Sequence, residues 1–170
     1  MKLLLLLTSV FCFSSFSACD SRPDKEGNWE IVLDFPAQAL EVGSNTLQVD
    51  LPQTSKSYAE ANGMDPKAIQ SVELTSAELV LEDGNTLDDV ESVLFQLSSK
   101  DAAMKQIAIG EVKEKGKKNL PLSLTKDKDV TDYFSSEKVI AVVEANAIDG
   151  GETSYKFKLK VKFKFISKQK

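Results

Sequence analysis

Tyr155-Lys156-Phe157-Lys158-Leu159-Lys160-Val161-Lys162-Phe163-Lys164-Phe165 alternates an aromatic or aliphatic residue with lysine over eleven positions. A period of two describes a strand with one face in a core and the other in water. A helix would scatter the lysines around its circumference. Upstream, Val139–Ala147 is apolar at nearly every position and rich in Val, which reads as a strand covered on both faces. Between the two stands Asp149-Gly150-Gly151-Glu152. Its turn chemistry predicts that the two strands pair as a hairpin.

Shorter alternations fill the rest of the chain. Residues 29–35 alternate around Trp29, Ile31, Leu33 and Phe35, and Pro36 stops them. Residues 46–51 carry Leu47, Val49 and Leu51 before Pro52. Residues 69–82 begin with Val72 and Leu74 on one parity and continue with Ala77, Leu79 and Leu81 on the other. That switch predicts a β-bulge near Thr75-Ser76, or a strand bending between two sheets. Residues 92–98, 106–112 and 120–124 supply further short strands. Helical material is minor. Residues 57–62 predict a turn and a half stopped by Gly63, Asp65-Pro66 a cap and first position, and residues 127–135 a short crossing helix. Residues 88–91 predict one more turn. About eight strands with one or two helical turns predict an all-β fold. The expected form is an antiparallel β-sandwich of immunoglobulin-like topology.

The amino end has a different logic. Met1-Lys2 is followed by an apolar run of residues 3–13 broken only by Thr8 and Ser9. At about 1.5 Å per residue this run is too short for a bilayer core of about 30 Å, and it reads as a signal peptide. It ends in Phe16-Ser17-Ala18-Cys19. This tetrapeptide resembles the bacterial lipobox, with Phe16 where that family usually has Leu. The resemblance covers about twenty residues and says nothing of the remainder. It implies a signal at residues 1–18, cleavage before Cys19, and lipidation of the Cys19 thiol. The alternative is an ordinary secretory signal cut after Ala18, which leaves Cys19 as a free thiol. Three acyl chains would exceed the two signals that stable anchoring requires. Residues 19–28 then form a polar tether, and residues 29–170 the β-sandwich domain.

Asp20 resembles an inner-membrane retention signal of enteric bacteria, whereas acidic residues close behind the cysteine, such as Asp24 and Glu26, resemble surface-export signals. The expected location is the cell envelope, with the outer membrane or cell surface ahead of the inner membrane.

No histidine occurs, and both cysteines, Cys12 and Cys19, lie in the first nineteen residues. The remainder of the chain therefore cannot hold a Ser-His-Asp triad, a Cys-His dyad, a His/Cys zinc or haem site, a Cys-ligated iron–sulfur cluster or an internal disulfide. From Cys19 the chain has 152 residues. A domain of that size buries about 70% of its unfolded surface, enough for a core without covalent staples.

Charge is split along the chain. Residues 20–99 carry 4 basic and 16 acidic side chains, and residues 100–170 carry 16 basic and 10 acidic. A nucleic-acid binder is not expected from such a dipolar pattern. Lys156, Lys158, Lys160, Lys162 and Lys164 form one ridge. It is read either as a face for an anionic partner or as protection of a very hydrophobic strand, balanced by acids across the sheet. The densest acidic loop holds Asp83, Asn85, Asp88 and Asp89, oxygen donors that could take calcium. The competing reading is a turn at Asp83-Gly84-Asn85 followed by an Asp88 cap. Trp29, Tyr58 and Tyr133 are the aromatics expected to be partly exposed, where they could stack on a sugar ring; for Trp29 the favoured reading is packing into the core face of the first strand beside Ile31.

No cofactor and no enzymatic activity are expected. Two classes of function remain: a binding or envelope-assembly subunit with a protein partner, or a glycan- or calcium-binding module.

Overall fold

The computed structural model describes residues 25–52, 54–82 and 84–168. Cys19 and Asp83 lie outside them. The strands are β1 (Lys25–Asp34), β2 (Gln38–Ala39), β3 (Gly43–Asp50), β4 (Ile69–Leu81), β5 (Val90–Ser99), β6 (Lys105–Glu111), β7 (Asn119–Leu124), β8 (Val139–Ala147), β9 (Ser154–Tyr155) and β10 (Phe157–Ser167). Two short helices, α1 (Ser55–Ala61) and α2 (Thr131–Phe134), complete the set. All strand pairs are antiparallel. The main sheet runs β1-β10-β4-β7-β6-β5-β8-β3, and β2-β9 is a separate small ribbon. The fold is all-β, an antiparallel sandwich made by curling one sheet.

The curl falls between β7 and β6, where only Ala108↔Leu124 and Ile109↔Ser123 pair. Pro121 accounts for the short ladder. The Leu81 N–H bonds to the Lys118 carbonyl at 2.7 Å. By alternation, Leu120 and Leu122 then bond to β4, while Asn119, Pro121 and Ser123 turn toward β6. Pro121 has no N–H to offer there, so the strands part. The layer β1-β10-β4-β7 then lies over the layer β6-β5-β8-β3.

The odd-numbered residues of β10 fill the space between the layers: Phe157, Leu159, Val161 and Phe163 are fully buried and Phe165 nearly so. Phe95, Leu97, Ala141 and Val143 reach in from the opposite layer. The parity switch in β4 is a bulge, as the sequence predicts. Lys162 pairs with Ser76 and Phe163 with Leu74, so Thr75 is the extra residue. Its hydroxyl donates to the Lys162 carbonyl at 3.0 Å. By that one insertion Val72, Leu74, Ala77, Leu79 and Leu81 all face the core.

The predicted hairpin of Val139–Ala147 with the lysine strand does not form. β8 lies between β3 and β5, and β10 between β1 and β4, so both edges of each strand are occupied. A hairpin would place their apolar rows side by side in one sheet. Here those rows meet across the core. The turn residues instead carry the chain from one layer to the other by way of β9, with the Gly151 N–H near the Leu40 carbonyl. Local turn chemistry is the same in both arrangements.

β1 also begins earlier than the sequence reading, taking in Lys25 to Asn28 of the expected tether. Gly27 lies against the Phe165 ring, and a Cβ there would fall 2.0 Å from Cζ. The helical expectations hold locally. Thr54 and Ser57 form a capping box on α1, and Gly63 follows its end at φ +65. Asp65 caps a single 3-10 turn, Pro66–Ala68.

Candidate functional site

The lysine ridge lies on the outer face of β10, flanked by β1 and β4. The alternation that sends Phe and Leu inward sends the lysines outward. β1 places Glu26, Glu30 and Asp34 on the same face, and the chain just past β4 adds Glu82. The Lys164 ammonium is 2.8 Å from Glu26, Lys162 is 3.4 Å from Glu30, and Lys158 is 3.2 Å from Asp34. Glu82 lies 2.5 Å from Lys158 and 3.5 Å from Lys156. Lys160, opposite Val32 and Glu78 in the register, has no carboxylate within ion-pair distance among the described residues. Hydrogen bonding to Lys158 holds the Glu82 carboxyl below its ordinary value. The same bond, with help from Asp34, raises the Lys158 ammonium.

Chemically this face is a ladder of paired charges. Five like charges on one strand would repel, and the neighbouring acids remove most of that cost. The charge available to an external anion centres on Lys160.

The acidic loop divides its donors among separate partners. Asp88 Oδ1 accepts the Gly116 N–H at 2.6 Å, the Tyr155 hydroxyl donates to Asp89, and Asn85 Nδ2 donates to the Ser154 carbonyl at 3.1 Å. The loop thereby ties β9 and the 112–118 connection to the start of β5. Among the described residues no three acidic side chains gather as a metal site.

The expected exposed aromatics are mostly internal. Trp29 is buried in the core face of β1, as its packing beside Ile31 predicts, and Tyr133 is buried as well, a correction to its expected exposure. Trp29 stacks on Tyr58 at 4.8 Å and meets Phe134 edge-on at 5.2 Å. Tyr58 is half-buried, and its hydroxyl donates to the Asn28 carbonyl at 3.0 Å. Tyr133 donates to the Ala103 carbonyl. These rings close one end of the core and offer no stacking platform.

Two surface depressions were not foreseen. The larger holds about 710 Å³ and is bordered by Asp101, Asp127, Asp129 and Asp132. Asp127 lies 2.7 Å from the Lys105 ammonium. Asp129 accepts both the N–H and the hydroxyl of Thr131, which lowers its pKa. The other, about 630 Å³, opens where β6 and β7 part. It is floored by Leu87, Leu120 and Pro121, and rimmed by Glu111 with Lys113 and Glu114 with Lys117, each a paired couple. The signal for this groove was Pro121 inside an apolar alternation.

No protein-family model matches the chain, and no curated protein matches it. Among solved structures, one of Desmodium yellow mottle tymovirus is 8% identical, with 99% of this chain and 97% of that chain covered at a TM-score of 0.37. A cryo-EM structure of a giant freshwater prawn Macrobrachium rosenbergii nodavirus semi-empty VLP is 11% identical, covering 88% and 97% at 0.33. Likenesses at this level carry no argument about what the chain does.

Proposed function

We propose that this chain is a bacterial lipoprotein, held at the cell envelope through Cys19, whose β-sandwich serves as a non-enzymatic binding or assembly subunit. The observation that carries the reading is the apolar run ending in Phe16-Ser17-Ala18-Cys19, followed within a few residues by β1. A domain tethered that closely presents its faces to neighbours at the membrane surface. The outer membrane or cell surface is the favoured compartment. The polar groups of the described surface support a binding role. On the outer face of β10 the lysines alternate with carboxylates of β1 and of the chain past β4, which gives that face a fixed charge pattern.

Mass spectrometry of the intact membrane form tests the anchor. The expected mass is that of residues 19–170 plus the acyl groups. Cys19→Ser should remove the increment and release or stall the protein, and an unchanged mass and membrane association would refute the anchor. Cross-linking in native membranes tests the binding role, with a reproducible protein partner expected. A protein that is never cross-linked but binds calcium or an envelope polysaccharide by calorimetry would be a ligand module instead.

A further inference from the structure

The register fixes which loops share an end of the sandwich with the start of β1. Lys25 pairs with Ser167, and Ser167 with Ile69 at the start of β4. The Lys168 N–H reaches the Ala68 carbonyl at 2.9 Å, which seats the 3-10 turn Pro66–Ala68 at this end. α1 joins it through the Tyr58 hydroxyl on the Asn28 carbonyl. α2 follows, with the Val130 N–H on the Val72 carbonyl at 2.8 Å, and Tyr133 ties it to Ala103 in the 99–105 connection. The opposite end is marked by the pairs Asp34↔Lys158, Phe157↔Leu81 and Gly43↔Ala147. Val42 and Ile148 stand just beyond the last of these, 71% and 61% exposed.

The domain therefore has an entry end and a far end, and chain length separates them. Six peptide steps lie between Cys19 and Lys25. At about 3.6 Å each they reach at most about 22 Å, whatever path they take. The ten residues of β1 run about 31 Å at about 3.4 Å per residue. A lipid on Cys19 cannot be carried along β1 to the far end.

Surface chemistry agrees with this limit. On the entry end Lys56, Lys67 and Lys168 are exposed with no carboxylate within ion-pair distance among the described residues, and Glu60, Asp101 and Asp132 are exposed there too. These charges are near balance, so the tether and not electrostatic attraction sets the contact. The flank beside the tether is the β10 face, where Lys156, Lys158, Lys162 and Lys164 already pair with carboxylates. Lying flat on lipid would take those pairs out of water, which costs free energy, and would supply no new partner.

We propose that the entry end is the surface that meets the membrane. The 3-10 turn, α1 and the 99–105 connection lie against the lipid headgroups, and the far end, with Val42 and Ile148, points away from them. The proposal rests on the reading of Cys19 as the lipidated residue.

The test uses introduced cysteines, since none occurs after Cys19. Lys67→Cys and Met104→Cys each place a fluorophore on the entry end, and Val42→Cys and Ile148→Cys each place one on the far end. All four side chains are exposed, and two positions at each end keep the comparison if one variant misfolds. The full chain is taken from membranes and reconstituted in vesicles of phosphatidylethanolamine and phosphatidylglycerol that carry a headgroup nitroxide quencher. Quenching at 67 and 104 should exceed that at 42 and 148 several-fold. Equal quenching at both ends means that the domain lies flat, and stronger quenching at the far end means that it is inverted; either overturns the proposal. Vesicle-bound protein with no quenching at any position stands clear of the lipid, which overturns it as well. In these three outcomes the protein floats with the vesicles, so the anchor survives. A chain that does not float removes the anchor and this orientation together.

Discussion

The Lys158 ammonium lies 2.5 Å from the Glu82 carboxylate, linking the middle of one layer to the chain leaving β4. The pair shifts both groups apart: Glu82 falls below its ordinary 4.5 and Lys158 rises above 10.5. A lowered carboxylate contributes stability above its ordinary value and loses it as pH falls through the lowered one. A raised ammonium contributes below its ordinary value and loses it as pH rises through the raised one. The pair therefore acts fully across the neutral range. Carboxyl-detected NMR should show Glu82 titrating below a normal glutamate, and Lys158→Met should return it toward 4.5. Because both groups meet solvent, added salt should shrink the difference. A midpoint indifferent to Lys158→Met would show that the contact is not formed in solution.

Deleting Thr75 should be far worse than truncating it. Thr75→Ala loses one hydroxyl bond, about 0.5–1.5 kcal/mol. Deletion removes the bulge and turns either Val72 and Leu74 or Ala77, Leu79 and Leu81 to the outside. The cost should match the loss of a buried leucine, about 2–5 kcal/mol. Urea midpoints of the two variants measure the contrast, and equal midpoints would mean that β4 re-registers without the bulge.

The Asn45 side chain donates to the carbonyls of Glu41 and Gly43 at 2.7 and 2.9 Å and accepts the Glu41 N–H at 2.9 Å, which pins the entry to β3. Asn45→Ala leaves those backbone groups without a side-chain partner and should cost about 1–3 kcal/mol. Hydrogen exchange should quicken over residues 41–46 and leave β10 unchanged. Uniform protection with an unchanged urea midpoint would contradict the role given to Asn45.

What the sequence disclosed was what local physics encodes. Alternation in β10, the doubled parity around Thr75 and the stop at Gly63 each follow from a few neighbouring residues. The mispaired hairpin shows the other side. Nothing in Asp149-Gly150-Gly151-Glu152 distinguishes a chain that turns back in its own sheet from one that crosses to the opposite layer. That choice is made by Tyr155 bonding to Asp89 and by strands far away in sequence. The site divides in the same way. The lysine positions were legible and compensation by the acidic half was expected, but the identities of Glu26, Glu30, Asp34 and Glu82 depend on the β1–β10 register and on where β4 ends. Burial of Tyr133 likewise needed α2 in place, whereas Trp29 follows the alternation of β1 into the core.

β1 pairs only with β10, from Lys25↔Ser167 to Asp34↔Lys158, and these are the first and last strands of the described chain. A ribosome or a translocation channel releasing this polypeptide amino end first delivers β1 with no partner, and it must wait for almost the whole chain to emerge. The contact that closes one layer is also the one of greatest sequence separation, which slows folding. Until then the apolar rows of β1 and β4 stay unmatched, and the nascent chain remains threadable and dependent on whatever shields it. Loss of the final strand would therefore leave β1 with no partner and β4 paired with β7 alone, so that a carboxy-terminal truncation should act on the earliest-made part of the domain.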